Sequence, residues 1–237
     1  MYEISAVLQT IEDNLLWVGV FTVIAWASGF VQIVEAVRLG RRDRLPGVPV
    51  GMTVFLLAHD SSFFLRYEHW FGVVDHWYFK LFWVGMGIAV LIELFMVAQF
   101  LRFGRSVLAP QLSARAFLAI YVAFQASAFV LLWWLQSLLD DPLYLVSLVG
   151  TQVAAVIFNV PFLLVRGNAR GQSRIYAWAT LLGPGSLALG LFPALSPVFR
   201  TGLYATLCAA MVGLSLAYLL LLEQSLRAAR RPGPVTA

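Results

Sequence analysis

The stretch YFKLFWVGMGIAVLIELFMVAQFL, residues 78–101, decides the fold class of this chain. Its charged residues are Lys80, near its start, and Glu93. About 20 mostly apolar residues are needed to cross the hydrocarbon core of a bilayer as a helix. Because lipid offers backbone groups no hydrogen-bond partners, such a segment must be helical. The stretch therefore predicts a transmembrane helix.

The rest of the chain has the same character. Of its 237 residues, 61% are hydrophobic and 12% are charged, whereas soluble domains carry about 25% charged residues. The length criterion predicts an all-α, polytopic membrane protein, with residues 1–237 forming a single seven-transmembrane-helix bundle. The second span is the least apolar, and the sixth is interrupted by GPG at 183–185. The predicted spans are about 14–37, 47–67, 78–101, 114–137, 143–165, 174–192 and 200–225.

The basic residues predict the orientation. All but three of the 16 lysines and arginines fall on one side of this division, the exceptions being Arg66, Lys80 and Arg200. Since positive loops mark the cytoplasmic side, we expect the N-terminus outside and the C-terminus in the cytoplasm. The same placement in short loops favours a lipid bilayer as partner and argues against nucleic acid, despite a pI near 9.5.

Other features of the sequence narrow the setting. The single cysteine, Cys208, leaves no intramolecular disulfide and no cysteine metal cluster. The first residues lack a basic region, so no cleaved signal peptide is predicted. Short loops and an Arg-rich, Ala-rich composition favour a bacterial inner membrane. The sequence leaves the oligomeric state open.

Ionisable residues inside spans are costly and are therefore candidates for function. Asp60 lies halfway along the second span, where its neighbours at helical spacing are apolar. A carboxylic acid kept neutral in such a place can donate a proton, although it could instead join two helices by a hydrogen bond. His59 is its candidate partner. Glu35, by contrast, lies close to Arg38 and predicts an interfacial ion pair.

Glu93 is placed similarly in the third span. A short loop joins the second and third spans, so Asp60 and Glu93 could face one cavity, although Glu93 could equally serve only to join helices. Glu68 lies near the end of the second span, beside Arg66, and is either a further acid or a solvated rim residue. The predicted catalytic residues are Asp60, Glu93, His59 and Glu68.

Aromatic rings accompany these acids. Ring faces stabilise cations, so an acid among aromatic walls suits chemistry through a carbocation, while packing against lipid explains any one ring equally well. Asn159 is a weaker candidate, because neutral amides commonly join helices. The rings predicted to bind substrate are Phe63, Phe64, Trp26, Trp83 and Trp178.

Several classes of site are absent from the sequence. A rhodopsin needs a lysine in its last span, and the only lysine here is Lys80. No Gly-rich phosphate loop or zinc pattern occurs, and LDDPLY at 139–144 is not a DDxxD magnesium site. We therefore predict neither a cofactor nor a bound metal.

Two short motifs carry a resemblance. They are LAHDSSF at 57–63 and VRGNARGQSRIYAWATLLG at 165–183. With these motifs, its length and its seven predicted spans, the chain resembles the small integral-membrane terpene cyclases of meroterpenoid and indole-diterpene pathways. That family has an Arg-Gly segment, then Gly-Gln-Ser, then a helix that ends near a glycine. The matching residues are Arg166, Gly167, Gly171, Gln172, Ser173 and Gly183.

The resemblance implies a metal-independent cyclase acting on a lipophilic, prenylated small molecule. Asp60 would be the general acid that protonates an alkene or epoxide and starts cyclisation. The family is expected to place a second acid in an Asp-x-x-Tyr setting in the last span, where this chain has Ser215 and Tyr218. Tyr218 is then a candidate for substrate binding, and Glu93 or Glu68 would replace the missing acid.

Two other functions stay open. A small proton-coupled transporter could use Asp60 and Glu93 as a proton relay. A non-catalytic membrane subunit would use the same acids only for assembly.

Overall fold

The structure, a computed structural model, describes residues 2–230. This part of the chain contains no β-strand and folds into helices joined by short turns. One π turn follows α3 at His69–Val74, another follows α8 at Ser186–Leu191, and a 3-10 turn occupies Pro197–Arg200. The α-helices are α1 Ile4–Asp13, α2 Leu15–Asp43, α3 Val50–Phe64, α4 Trp77–Leu108, α5 Ala114–Leu139, α6 Leu145–Ile157, α7 Asn159–Arg166, α8 Arg174–Gly185, α9 Phe192–Leu195 and α10 Gly202–Arg230.

The helical, multi-pass character predicted from hydropathy is confirmed. Among the described residues, six helical segments are long and apolar enough to cross a membrane. They cover six of the seven predicted spans, with ends that differ by a few residues. These segments are Leu15–Asp43, Trp77–Leu108, Ala114–Leu139, Leu145–Arg166, Arg174–Leu195 and Gly202–Ala229.

The predicted second span differs from the observed helix. Helix α3 has 15 residues, which give a length of about 22 Å, less than the roughly 30 Å of the hydrocarbon core. The chain leaves the helix after Phe64 and folds back, because Trp70 stacks on Phe63 with ring centres 3.9 Å apart. The indole N–H of Trp70 also donates to the Phe63 carbonyl, at 2.7 Å. Helix α3 packs against α4, α5 and α6, inside the bundle.

Loops gather at two ends of the bundle. At the first, the acidic end, the carboxylate of Glu12 accepts hydrogen bonds from His76, at 2.8 Å, and from Trp77, at 2.7 Å. The hydroxyl of Tyr2 bonds to Asp141 at the same end. Helix α1, which hydropathy did not predict as an element, is held there by these contacts.

At the opposite end, called the arginine-rich end, the end of α7 and the loop after it are hydrogen-bonded to the end of α2 and the residues that follow it. Arg166 donates to the Pro46 carbonyl at 2.5 Å, and the amide of Gly171 donates to Asp43 at 2.6 Å. The predicted ion pair is confirmed, since Arg38 holds both carboxylate oxygens of Glu35, at 2.6 and 2.7 Å.

Two of the long segments are broken part-way. The predicted interruption at GPG coincides with the end of α8, where Pro184 lacks the N–H that a regular helix needs. The chain continues through the π turn Ser186–Leu191 into α9, as expected where the ladder of backbone hydrogen bonds is disturbed. The other break falls at Phe158, between α6 and α7.

Candidate functional site

A cavity lies among α2, α3, α4, α6 and α8, within the helical bundle. The space open to the centres of water molecules is about 120 Å³. Its walls are mostly aliphatic and aromatic, as is usual for sites that bind small molecules. The polar side chains that line it are Gln32, Asp60, Glu93, Thr151 and Gln152.

Asp60 and Glu93 meet in this cavity. Asp60 comes from α3 and Glu93 from α4, and their carboxyl groups are close enough to interact with each other. Glu93 is 1% exposed, and its Oε2 meets no hydroxyl, amide or basic group of the described residues. Two carboxyl groups in one buried cavity could act as a proton donor and a proton acceptor at the same place.

His59 supports the pair from the other side. Its Nδ1 lies 2.7 Å from Oδ1 of Asp60, and the imidazole is fully buried. Successive residues of an α-helix point about 100° apart. Asp60 therefore lines the main cavity, while His59 lines a second, smaller cavity.

An aromatic wall faces the carboxyl pair. Trp26 and Phe30 of α2 and Phe82 of α4 line the main cavity, and the rings of Trp26 and Phe82 meet edge-on, 4.9 Å apart. A Cβ atom at position 85 would lie 2.5 Å from the Trp26 ring, so Gly85 makes the room that the indole occupies. Such ring faces can stabilise a cation formed beside the acids.

No family model, curated protein or solved structure matches this chain.

Some of the predicted aromatic residues lie elsewhere. Phe63 lines the second cavity. Phe64 and Trp83 stack on each other with ring centres 4.6 Å apart, in an aromatic cluster with Tyr67 and Phe71 near the acidic end. Of the rings predicted to bind substrate, Trp26 is the one that lines the main cavity.

Two predicted residues are exposed at the protein surface. Trp178 on α8 is 50% exposed, on the side that would face lipid. Glu68 is exposed in the segment that follows α3. Neither lines the main cavity with Asp60 and Glu93.

Asn159 and Tyr218 belong to a separate polar cluster towards the arginine-rich end. The hydroxyl of Tyr176 donates to Asn159 at 3.1 Å, and the hydroxyl of Tyr218 bonds to the side chain of Gln172. Ser215, where the resemblance implies a second acid, is buried on α10. No described residue of α10 lines the main cavity.

Sequence reasoning passed over three polar groups near the acids. Gln32 lines the main cavity and donates to Thr180 at 2.7 Å, and Thr151 lines it from α6. An amide inside a span is the signal that could have identified Gln32. Tyr144, which lies next to His59 in the second cavity, resembles an ordinary interfacial tyrosine in the sequence.

Proposed function

We propose that this protein is a membrane-bound, metal-independent terpene cyclase, which protonates a prenyl alkene or epoxide and guides the cyclisation of the resulting carbocation. One observation carries the proposal. The carboxyl groups of Asp60 and Glu93 are paired in an apolar cavity with aromatic walls. Two carboxyl groups that share one proton provide an acid and a base at the same place.

The topology that we propose has seven spans. Helix α3 would cross the bilayer as the second, with the segment up to 67 completing its path. The N-terminus would lie outside and the C-terminus in the cytoplasm, because the arginine-rich end carries the residues that mark the cytoplasmic side. A bacterial inner membrane is the proposed location.

The reaction would begin at Asp60. Its protonated carboxyl group would give a proton to the alkene carbon or the epoxide oxygen, leaving a carboxylate and a carbocation. His59, which is bonded to Asp60 at 2.7 Å, fixes the orientation of that group. A carboxylic acid needs a strongly stabilised cation in order to protonate an alkene, and preorganised groups around the site would provide this stabilisation.

The aromatic wall and Glu93 would complete the cycle. The faces of Trp26, Phe30 and Phe82 would stabilise the cation while the new carbon–carbon bond forms. The carboxylate of the Asp60–Glu93 pair would then take a proton from a carbon beside the cation. Since one proton is given and one is recovered, the product is an isomer of the substrate and the pair is restored.

The size of the cavity limits what reacts there. Its 120 Å³ is somewhat less than the roughly 150 Å³ that binds a benzene molecule in an engineered apolar cavity. The reacting end of a prenyl chain would fit this space, and the rest of the substrate would lie towards α2. Trp26 and Phe30 are partly exposed on that helix as well as lining the cavity, so access from the lipid side is proposed there.

Product analysis tests this proposal. Purified protein in lipid would be incubated with prenylated and epoxyprenyl phenols in the presence of a chelator, and products of unchanged mass would be followed by chromatography with mass detection. Wild type should form such isomers, whereas Asp60→Asn should not. Equal yields from the two proteins would remove Asp60 from the chemistry.

A proton-coupled transporter is the second candidate, and the broken helices favour it. Gly183 and Pro184, at the end of α8, line the main cavity beside the acids, and discontinuous helices beside a central site are typical of transporters. Proton flux into vesicles, driven by a solute gradient and lost in both Asp60→Asn and Glu93→Gln, would support this function over the cyclase.

A further inference from the structure

Two side chains that line the second cavity each have a buried polar atom with no partner among the described residues. This cavity is bounded by α3, α4, the start of α6 and the segment Leu191–Leu195. Nε2 of His59 and the hydroxyl oxygen of Tyr144 are both buried and find no hydrogen-bond partner among the described residues. Their rings are 5.7 Å apart and meet at 70°. Buried polar groups are normally paired, so each such atom calls for an explanation.

The space beside these atoms fits one small molecule. The part of the second cavity open to the centre of a water molecule is about 10 Å³, close to the smallest volume that holds one water. Most of its other walls are apolar. A water there would find a hydrogen-bond donor and an acceptor in Tyr144 and His59, which are the polar partners that it needs.

The backbone of Tyr144 is unusual at this position. Its φ of 60° is in the left-handed region, which residues other than glycine adopt rarely and which tends to occur at functional sites. This conformation caps the start of α6, and the ring is 1% exposed. Tyr144 is thus held in a fixed place next to His59 at a local cost in backbone energy.

We propose that a water molecule bound between Tyr144 and His59 forms a proton path that exchanges the proton of Asp60 with water at the acidic end of the bundle. His59 links the two cavities, because it lines the second cavity while its Nδ1 is bonded to Asp60, which lines the main one. The wall between the cavities is made by Phe82, Met86 and Leu148, which line both.

In one transfer, each group along the path gives up one proton and receives another. Nδ1–H of His59 passes its proton to the carboxylate of Asp60, and Nε2 accepts a proton from the water. The water takes the hydroxyl proton of Tyr144, and the Tyr144 oxygen takes one from the aqueous phase at the acidic end. One proton enters from water and one arrives on Asp60, and the imidazole proton is left on Nε2. When Asp60 gives a proton back along the same path, Nδ1–H is restored.

Few other titratable or charged groups face this path. Asp60 adjoins His59 on α3, and Glu93 adjoins Asp60 from α4. Tyr78 of α4 lines the second cavity, but its hydroxyl is bonded to Thr22 at 2.8 Å. At the outer end, the guanidinium group of the exposed Arg66 lies over the ring of Tyr144, 5.2 Å from its centre. The exposed Arg66 marks the end of the path that is nearest to water.

The proton path rests on the proposed function only in assuming that the proton on Asp60 is used for cyclisation. The path itself can therefore be tested without a substrate. Infrared spectra of the protein in lipid would follow the stretching band of the protonated carboxyl pair, identified by its loss in Asp60→Asn and Glu93→Gln. The rate at which this band shifts after transfer from H₂O to D₂O measures proton exchange with the solvent. The variant is Tyr144→Phe, which removes a hydroxyl that has no protein partner and should therefore fold normally.

Tyr144→Phe should slow exchange of the carboxyl band about tenfold or more, because a positioned group that transfers protons contributes at least that much to the rate. Tyr78→Phe, which removes a hydroxyl bonded elsewhere in the same cavity, should exchange as fast as wild type. Unchanged exchange in Tyr144→Phe would overturn the path, and so would equal slowing in the two variants. A failed cyclase assay with slow exchange in Tyr144→Phe would instead contradict only the proposed function.

Discussion

Nδ1 of His59 lies 2.7 Å from Oδ1 of Asp60, yet the two side chains line different cavities. Adjacent positions on α3 make this possible, because the helix turns about 100° between them. The same bond that orients the carboxyl group of Asp60 also connects it to the second cavity. Asp60 therefore has a polar partner that does not itself line the main cavity.

Trp26 is expected to stabilise the cation and to limit the size of the substrate. In Trp26→Ala, loss of the ring face should cost about 2 kcal/mol, or about thirtyfold in rate, on a short prenyl probe. The enlarged cavity should at the same time favour longer prenyl chains over short ones. Product yields from probes of increasing chain length measure both effects.

Trp178→Ala is the matched control for this change. Trp178 is half exposed and does not line the main cavity, so its loss should leave the preference for chain length as it is in wild type. Similar shifts in the two variants would show that Trp26 has no special place in the site.

Gly47 is expected to be required for the close approach of the chain to α2. A Cβ atom there would lie 2.1 Å from the carbonyl oxygen of Ala36, which is backbone and cannot turn away. Gly47→Ala should lower stability by about 1–3 kcal/mol, as overpacking typically does. Unfolding temperature in detergent measures the change.

Gly19→Ala serves as the comparison, since nothing lies within 4 Å of a Cβ atom at that position of α2. It should leave stability unchanged or raise it by about 0.5–1 kcal/mol, because alanine is the better helix former. If the two alanine variants unfolded at the same temperature, the tight contact at Gly47 would be refuted.

Glu12 should make the stability of the acidic end depend on pH. Hydrogen bonds, first from the indole of Trp77 and then from His76, hold the pKa of Glu12 below its usual 4.5. A lowered folded-state pKa gives stability that is present above the unfolded value and is lost as pH falls through the folded one. The difference in unfolding temperature between wild type and Glu12→Gln should therefore shrink on acidification, and a difference that is constant with pH would contradict this.

Hydropathy predicted the long helices because most of each one has the composition that lipid requires. For the second span it predicted residues 47–67, whereas α3 runs from Val50 to Phe64 and packs against α4, α5 and α6. No signal in residues 47–67 indicates that the chain turns back at Leu65. That turn depends on Trp70, whose stacking on Phe63 is a tertiary contact.

The sequence also indicated the acids but not their full surroundings. A short connection between two spans made Asp60 and Glu93 neighbours, but their meeting depends on the rotation of α3 and α4, which packing determines. Tyr144 could not be distinguished from interfacial tyrosines, because its importance lies in a left-handed backbone and an unpaired hydroxyl. Phe64 and Trp83 have the aromatic rings that the prediction called for, but they stack on each other outside the main cavity.

Isotope labelling shows whether Asp60 starts the proposed reaction by giving up a proton. Wild type and Asp60→Asn would be incubated in D₂O with prenylated phenols that end in an alkene, and product mass would be measured. Wild type should yield a cyclised product that carries one added deuterium, while Asp60→Asn should yield at least about a hundredfold less. Wild-type product without deuterium, equal product from Asp60→Asn, or no product from wild type with any probe would contradict the account.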